Sequence, residues 1–315
     1  MKTIYLNRQT EQPIPCVATI GFFDGVHLGH RYIINEVVAT ARREGLASVV
    51  VTFEKHPRQV LHSDWQPLLL STLDEKVELL SQTGIDSLVI LQFNEVMAAL
   101  SARDFMHDIL LQQLGVRILI TGYDNRFGHN RTEGFDDYVR YGSEMGMAVV
   151  QGNAIEVGSI RVSSSKIRRL IAEGRVEQAA ECLGHPYELA GQVVSGEHVG
   201  TEMGFPTANL QLTEEGKLIP APGVYAVRVK LEKSLELYNG MMNIGSRPTF
   251  GGHSQTLEAN IFHFDGDIYG QRLNVSFVCR LRSEIRFDSR EALMKQLASD
   301  ARQAEKLLNE MTGIQ

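Results

Sequence analysis

Between the apolar run Val17, Ala18, Thr19, Ile20 and the helix-like stretch Tyr32 to Arg43 stands the decapeptide Gly21-Phe22-Phe23-Asp24-Gly25-Val26-His27-Leu28-Gly29-His30. A strand that breaks at glycines and delivers two histidines to the mouth of a helix constrains both the fold and the ligand. Gly21, Gly25 and Gly29 let the backbone turn tightly and approach a ligand closely, and the helix that follows offers unpaired N–H groups and its positive end to an anion. Phosphate suits that position. His27 and His30, three residues apart, fall on one side of the first turn, where each can donate a ring N–H to phosphate oxygens as negative charge develops. A lone histidine is most often a satisfied structural residue. The pair, with three glycines and Asp24 at a strand-to-helix junction, favours a nucleotide site. The glycine order is not the dinucleotide fingerprint, and no Gly-Lys-Ser/Thr phosphate loop is present.

From Val17 to about Gln151 apolar runs alternate with helical patterns. Strands are expected at Val17 to Phe22, Ala47 to Phe53, Ser87 to Gln92, Val116 to Thr121 and Met147 to Gln151. Helices are expected at Tyr32 to Arg43, Leu73 to Thr83, Ala102 to Leu114 and Phe135 to Glu144. This alternation implies an α/β domain, a Rossmann-like parallel sheet with helices on both faces and its ligand beyond the carboxyl ends of the strands. Two further helical segments, Ser165 to Glu173 and Val176 to Leu183, precede a change of pattern at Gly184, His185 and Pro186. Thereafter strands are expected at Tyr187 to Ser195, Gly223 to Lys230, Tyr238 to Ile244, Leu257 to Phe264 and Arg272 to Leu281. These predict a compact antiparallel β-barrel, closed by an amphipathic helix from Arg290 to about Asn309. The expected domains are therefore 1–184 and 185–315.

A chain of 315 residues with 43% hydrophobic and 22% charged residues suits two soluble domains. No apolar stretch approaches a membrane span and the N-terminus lacks a signal-peptide core, so a cytosolic protein without a membrane partner is expected. The net charge of -7 is poor electrostatics for holding a nucleic acid. Cys16, Cys182 and Cys279 are scattered and odd in number, which favours buried free thiols over a disulfide or zinc framework.

Three other segments carry chemistry. Arg161-Val162-Ser163-Ser164-Ser165-Lys166-Ile167-Arg168-Arg169 sets hydroxyls at a helix start, followed by three cations in four residues. A serine run caps a helix, but cations prefer the opposite end, so the cluster suits a polyphosphate better than a bare cap requires. In Gly204-Phe205-Pro206-Thr207-Ala208-Asn209, Pro206 fixes the backbone ahead of two alternate side-chain oxygens that can face a hard cation. Thr121-Gly122-Tyr123-Asp124-Asn125-Arg126-Phe127-Gly128 follows a strand end, where Asp and Asn are ordinary turn residues.

The decapeptide closely resembles the first signature of the bacterial bifunctional riboflavin kinase/FAD synthetases, within the nucleotidyltransferase superfamily marked by H-x-G-H. Class I aminoacyl-tRNA synthetases, pantetheine-phosphate adenylyltransferases and cytidylyltransferases carry related motifs, so this segment alone supports nucleotide binding with attack at an α-phosphate. The resemblance continues through nearly the whole chain. Residues 163–168 are similar to Ser-Ser-Thr-x-Ile-Arg, residues 122–128 to Gly-x-Asp-Phe-x-Phe-Gly with Asn125 in place of the usual aromatic, and Phe53 to Pro57 to Phe-x-Pro-His-Pro with Lys55 for proline. Gly204 to Asn209 resembles the riboflavin kinase motif Gly-x-Pro-Thr-Ala-Asn, and the match runs on through Gly223-Val224-Tyr225, Asn243 to Phe250, Leu257 to Ile261 and Tyr269-Gly270. Gly200-Thr201 stands where the family shows Gly-Arg, so a cation to neutralise phosphate would come from a Lys or Arg elsewhere.

The resemblance implies two reactions, riboflavin to FMN in the barrel and FMN to FAD in the α/β domain, with ATP as co-substrate and Mg2+ as cofactor. It implies catalytic roles for His27, His30, Arg168 and Glu258. Gly21, Phe22, Asp24, Gly25, Gly29, Ser164, Ser165, Gly204 and Thr207 would bind ATP or its phosphates, His56, Asp124, Asn125 and Arg126 flavin or nucleotide, and Thr207 and Asn209 the metal. The partners are then small molecules, on a monomer or weak homo-oligomer. The rival readings are a chain with one silent module, a flavin-responsive binding protein, and a tRNA-modifying or tRNA-charging enzyme.

Overall fold

The structure, a computed structural model, describes residues 1–6, 13–56, 67–123, 125–129, 132–153, 155–158, 160–196, 204–249 and 252–312. By its internal contacts the chain divides into two units, Met1–Ser164 and Ser165–Gln315.

In the first unit six parallel strands form one sheet, ordered β1 (Lys2–Leu6), β4 (Ser87–Leu91), β3 (Ala47–Phe53), β2 (Cys16–Ile20), β5 (Val116–Thr121) and β6 (Ala148–Gln151). All five residues of β2 are buried. Cys16, Ala18 and Ile20 pack with Val51, Leu91, Met106, Leu110 and Tyr138 on one face, whereas Val17 joins Val37, Ala41 and Ile120 on the other. With both faces covered the strand has no polar side, so it reads as an unbroken apolar run, and each buried Val or Ile contributes about 1.5–3 kcal/mol. β1 escaped the sequence reading because it is an edge strand with only alternate residues partly covered.

The helices fix the strand ends. Helix α1 (Leu28–Glu44) closes on Gly45, whose φ of 66° allows its N–H to cap the last turn. Helix α2 (Leu73–Ser81) opens with a reciprocal capping box: Glu75 N–H donates to Thr72 Oγ1 at 3.2 Å and Thr72 N–H to Glu75 Oε2 at 2.9 Å. After the short helix α3 (Glu95–Ala98), one α-helix was expected over Ala102 to Leu114. The chain instead makes one turn, α4 (Ala102–Asp104), and widens into a π-helix, Phe105–Gln113, in which the wider turn keeps Phe105, Met106, Ile109 and Leu110 on the sheet. Helix α5 (Phe135–Met145) and a small hairpin, β7 (Glu156–Val157) with β8 (Ile160–Arg161), complete the unit.

The second unit begins within helix α6 (Ser164–Ala172), followed by α7 (Val176–Leu183). Six antiparallel strands close into a barrel: β9 (Tyr187–Val194), β10 (Ala208–Leu212), β11 (Gly223–Leu231), β12 (Leu237–Thr249), β13 (Gly252–Ile261) and β14 (Arg272–Ser283), in the order β10-β13-β12-β11-β14-β9. β10 lies in the Pro-Thr-Ala-Asn segment, where the sequence shows turn residues before it shows a strand. Tyr225 meets Phe277 edge to face at 5.2 Å in the interior, and the alternate residues Val224 and Ala226 pack with Ala304 and Leu308 of helix α8 (Arg290–Thr312). Contacts assign α6 and α7 to the barrel unit, earlier than the expected boundary at 184/185, because Arg280 of β14 ties them down. Its backbone N–H donates to Glu177 Oε1 at 2.9 Å, and its guanidinium to the carbonyls of Glu173 and Pro222 at 3.5 and 2.6 Å.

Helix α8 is further held by one buried ion pair. Asp300, 1% exposed, accepts from Arg282 at 2.8 and 2.9 Å on Oδ2 and from Gln296 at 2.8 Å on Oδ1. Asp300→Ala leaves the Arg282 charge mostly buried without its partner and is expected to cost about 3 kcal/mol, read as a lower denaturation midpoint by circular dichroism.

Candidate functional site

The decapeptide forms at the carboxyl end of β2, where the sheet order reverses between β3 on one side and β5 on the other. Its backbone is strained: Phe23, Gly25 and Val26 hold φ values of 54°, 76° and 40°, and for a β-branched residue such as Val26 that is an outlier. The segment before α2 holds the strain in place. The Asp24 carboxylate, 2% exposed, accepts from the N–H groups of Leu70 and Ser71 at 3.0–3.1 Å, and Gly25 N–H donates to Ser71 Oγ at 2.9 Å. In these bonds the Asp24 carboxylate serves the backbone of the turn. Lys76 of α2 donates to the carbonyls of Phe22 and Phe53 at 3.1 and 3.0 Å.

The two histidines meet as rings. They stack at 3.5 Å between centroids with 14° between planes, and Phe23 closes edge-on against His30 at 5.1 Å. His27 is the N-cap of α1, its Nδ1 accepting from the His30 backbone N–H at 3.2 Å. That bond leaves Nε2 to carry the proton of the neutral ring. A Cβ at Gly29 would stand 3.2 Å from the folded-back His27 ring, a tight contact to which the ring would have to yield. His30 Nδ1 is buried without a hydrogen-bond partner. Burial first, then His27 and Lys76, hold the His30 pKa well below the ordinary histidine value, so the ring is neutral near pH 7.

Other predicted residues gather at the same turn. Ser164 Oγ, at the start of α6, donates to Asp24 O at 3.2 Å. Asn125 donates its amide to Ile20 O at the end of β2, so the polar residue in the aromatic's place fastens its loop to the strand. Phe127 stacks on Tyr138 at 4.2 Å, and the Tyr138 hydroxyl accepts from Phe127 N–H at 3.0 Å. His56 rests edge-on against Phe22 at 4.7 Å, and Arg126 is exposed. Asp124 lies outside the described residues. Ser165 and Arg168 belong to α6 in the second unit.

The barrel carries its own cluster. β10 and β13 place Asn209 opposite Glu258, and β12 and β13 place Glu258 opposite Asn243. Directly paired residues of neighbouring strands share a face, so Asn209, Glu258 and Asn243 form a polar row across three strands. Thr207 precedes this row by one step, and the Pro206 carbonyl is anchored by Asn260 Nδ2 at 2.7 Å. The Asn209 amide occupies the space a Cβ on Gly196 would take. A cleft of about 430 Å³ opens beside it, lined by residues 192–195, Tyr269 and Gly270. Gly204 takes φ 77° at the entry to the motif, and Gly200-Thr201 lies outside the described residues.

Sequence reasoning missed the backing of the first site. Its one legible signal is Lys76, which stands with Leu73 and Leu80 on the helical spacing of the apolar face of α2. Asn243 shows no role in the sequence; its signal is strand register, which follows only from the closed barrel.

Similarity to known proteins divides along the same lines. The FAD synthetase family model matches residues 9–166 and the riboflavin kinase family model residues 183–308. The chain is 36% identical to the bifunctional riboflavin kinase/FMN adenylyltransferase of Escherichia coli (strain K12) over 285 residues, 90% of each chain. The same-named proteins of Pseudomonas fluorescens and Bacillus subtilis (strain 168) are 37% and 34% identical, over 93% and 96% of this chain and 93% and 97% of theirs. A crystal structure described as a macrolide-efflux protein from Streptococcus pneumoniae superposes with a TM-score of 0.86 at 31% identity, covering 95% of this chain and 97% of that one. Among the described residues no helix is long and apolar enough to cross a membrane. With both family models matched and full-length relatives above 30% identity, the chain belongs to the bifunctional riboflavin kinase/FMN adenylyltransferase family.

Proposed function

We propose that the chain converts riboflavin to FMN at the barrel row and FMN to FAD at the histidine turn, with 1–184 as the adenylyltransferase module and 185–315 as the kinase. The single observation that carries the reading is the stacked His27–His30 pair at the switch point of a parallel sheet, in a chain matched by both family models. The efflux description of the structural relative finds no such support. The reading includes a cytosolic enzyme acting on small molecules, as a monomer or weak homo-oligomer.

In FAD formation a phosphate oxygen of FMN attacks the α-phosphorus of ATP, a new P–O bond forms, and the bond to the β-phosphate breaks with release of pyrophosphate. His27 presents Nε2–H because its Nδ1 is engaged in the helix cap, and neutral His30 offers a ring N–H beside it. Both strengthen their bonds as charge develops on the reacting phosphate. The chain turns of Gly21, Phe22, Gly25 and Gly29 admit ATP closely, Ser164, Ser165 and Arg168 hold the departing phosphates, and His56, Asp124, Asn125 and Arg126 contact flavin or nucleotide. Asp24 contributes by shaping the turn. FMN phosphate is ionised near neutral pH, so little work remains for a general base.

In FMN formation Glu258 takes the proton from the riboflavin 5′-hydroxyl as that oxygen attacks the γ-phosphorus, and ADP leaves. Gly204 and Thr207 bind the ATP phosphates. Thr207 and Asn209 offer hard oxygens at alternate positions, a donor set that would suit a magnesium ion. Bound there with ATP, the ion supplies charge neutralisation of the phosphates.

Substitutions separate the two sites. His30→Ala is expected to lower FAD formation by about 10²-fold or more and leave FMN formation unchanged, while Glu258→Ala lowers FMN formation by about 10²-fold or more and spares FAD formation from supplied FMN. Chromatographic time courses with riboflavin, ATP and magnesium read both, and loss of both activities in either folded variant sinks the assignment of independent sites. A second test follows the His30 ring by NMR. Its depressed pKa predicts no protonation between pH 8 and about 6.5, the ordinary histidine value. Since the unfolded chain takes up that proton first, this residue loses folded-state stability only as pH falls below about 6.5.

A further inference from the structure

Lys76 is an unusual residue for the apolar stripe of a helix. It is 2% exposed, and its ammonium group spends its donors on three neighbours: the Phe22 carbonyl at 3.1 Å, the Phe53 carbonyl at 3.0 Å and the face of the Phe22 ring at 4.0 Å from the centroid. Those two carbonyls belong to the exits of adjacent strands, one opening the histidine turn and the other ending β3. Thr52 Oγ1 also donates to the Phe22 carbonyl, at 3.1 Å, so this oxygen is doubly held. Lys76 itself is fixed one turn into α2 by the Thr72–Glu75 capping box. The same segment supplies the Leu70 and Ser71 amides that bind Asp24. The strained turn is thus gripped at both ends from one rigid element, and burying a lysine for packing alone would cost several kcal/mol.

The charges around it are few. Asp24 faces Lys76 from the turn, His27 and His30 lie beyond it on the cap and first turn of α1, His56 reaches the other edge of Phe22 after β3, and Glu75 of α2 is engaged at Thr72. Burial lowers the Lys76 pKa to about 8, with Asp24 acting in the opposite direction. Lys76 in turn helps to keep His30 neutral.

We propose that Lys76 is a positioning residue for adenylyl transfer: by clamping the Phe22 and Phe53 carbonyls and setting a positive charge behind the histidine pair, it holds His27 and His30 in their transition-state geometry. The inference rests on the assignment of FAD formation to that pair. Lys76 touches neither ATP nor FMN in this role, so its loss acts on turnover more than on binding.

Full-length Lys76→Met is the first test. The expected result is a kcat for FAD formation reduced at least about ten-fold, KM for FMN and ATP changed less than about three-fold, and riboflavin kinase activity unchanged in the same preparation. Lys76→Arg, which keeps charge and donors, recovers part of the lost kcat. Wild-type kcat in Lys76→Met, or a loss carried wholly by KM, overturns the proposal. His30→Ala run alongside separates the two claims. Full FAD synthesis in His30→Ala removes the site assignment, whereas an inactive His30→Ala beside a fully active Lys76→Met removes only the role of Lys76. A wild-type measurement decides the matter if Lys76→Met does not fold. With labelled histidine, the His30 ring resonance is expected to move as Lys76 loses its proton, near pH 8, and a resonance that stays unmoved through the pH at which the Lys76 ammonium itself is seen to titrate overturns the proposal.

Discussion

The bond between the Asp24 carboxylate and the Leu70 and Ser71 amides is what the first site depends on. A backbone run with three positive φ values is unfavourable by itself, at a cost on the order of 1–3 kcal/mol per strained non-glycine residue. It persists because a buried carboxylate needs donors and finds two amides waiting at fixed positions. Remove the donors and the carboxylate has no reason to stay buried. Relax the turn and the histidine rings lose their stack, since His27 caps the helix directly after it.

The barrel solves a different problem. A closed six-stranded sheet has no free edge, and its small interior is filled by side chains such as Tyr187, Tyr225 and Phe277. Polar side chains are therefore displaced to the outward face and to the strand entries, where Asn209, Glu258 and Asn243 line up by register. Two register shifts along β11 and β14 bend the sheet where α8 covers it.

Much of this was legible in the chain, and for physical reasons. Buried parallel strands read as apolar runs, so β2, β3 and β5 stood out within a residue or two of their true ends. The histidine turn was legible because its glycines and histidines are local in sequence. What escaped was set by tertiary contact. β1 is an edge strand whose pattern is too weak to distinguish from a loop. β10 is short and hidden behind turn residues. The π-helix follows from the packing of Phe105, Met106, Ile109 and Leu110 on the sheet, since helical periodicity cannot separate four-residue from five-residue closure. The donors to Asp24 were not legible, because Leu70 and Ser71 arrive at its carboxylate from more than forty positions away.

In the proposed mechanism His27 carries two duties with one imidazole. Its Nδ1 caps α1, a bond worth about 1 kcal/mol in helix stability, and the same bond fixes which nitrogen bears the proton. A replacement that keeps the cap, such as Asn or Ser, gives up the outward N–H, and one that keeps an outward donor gives up the cap. In the proposed reaction the helix cap and the phosphate donor are therefore one group, and a substitution at this position cannot keep both.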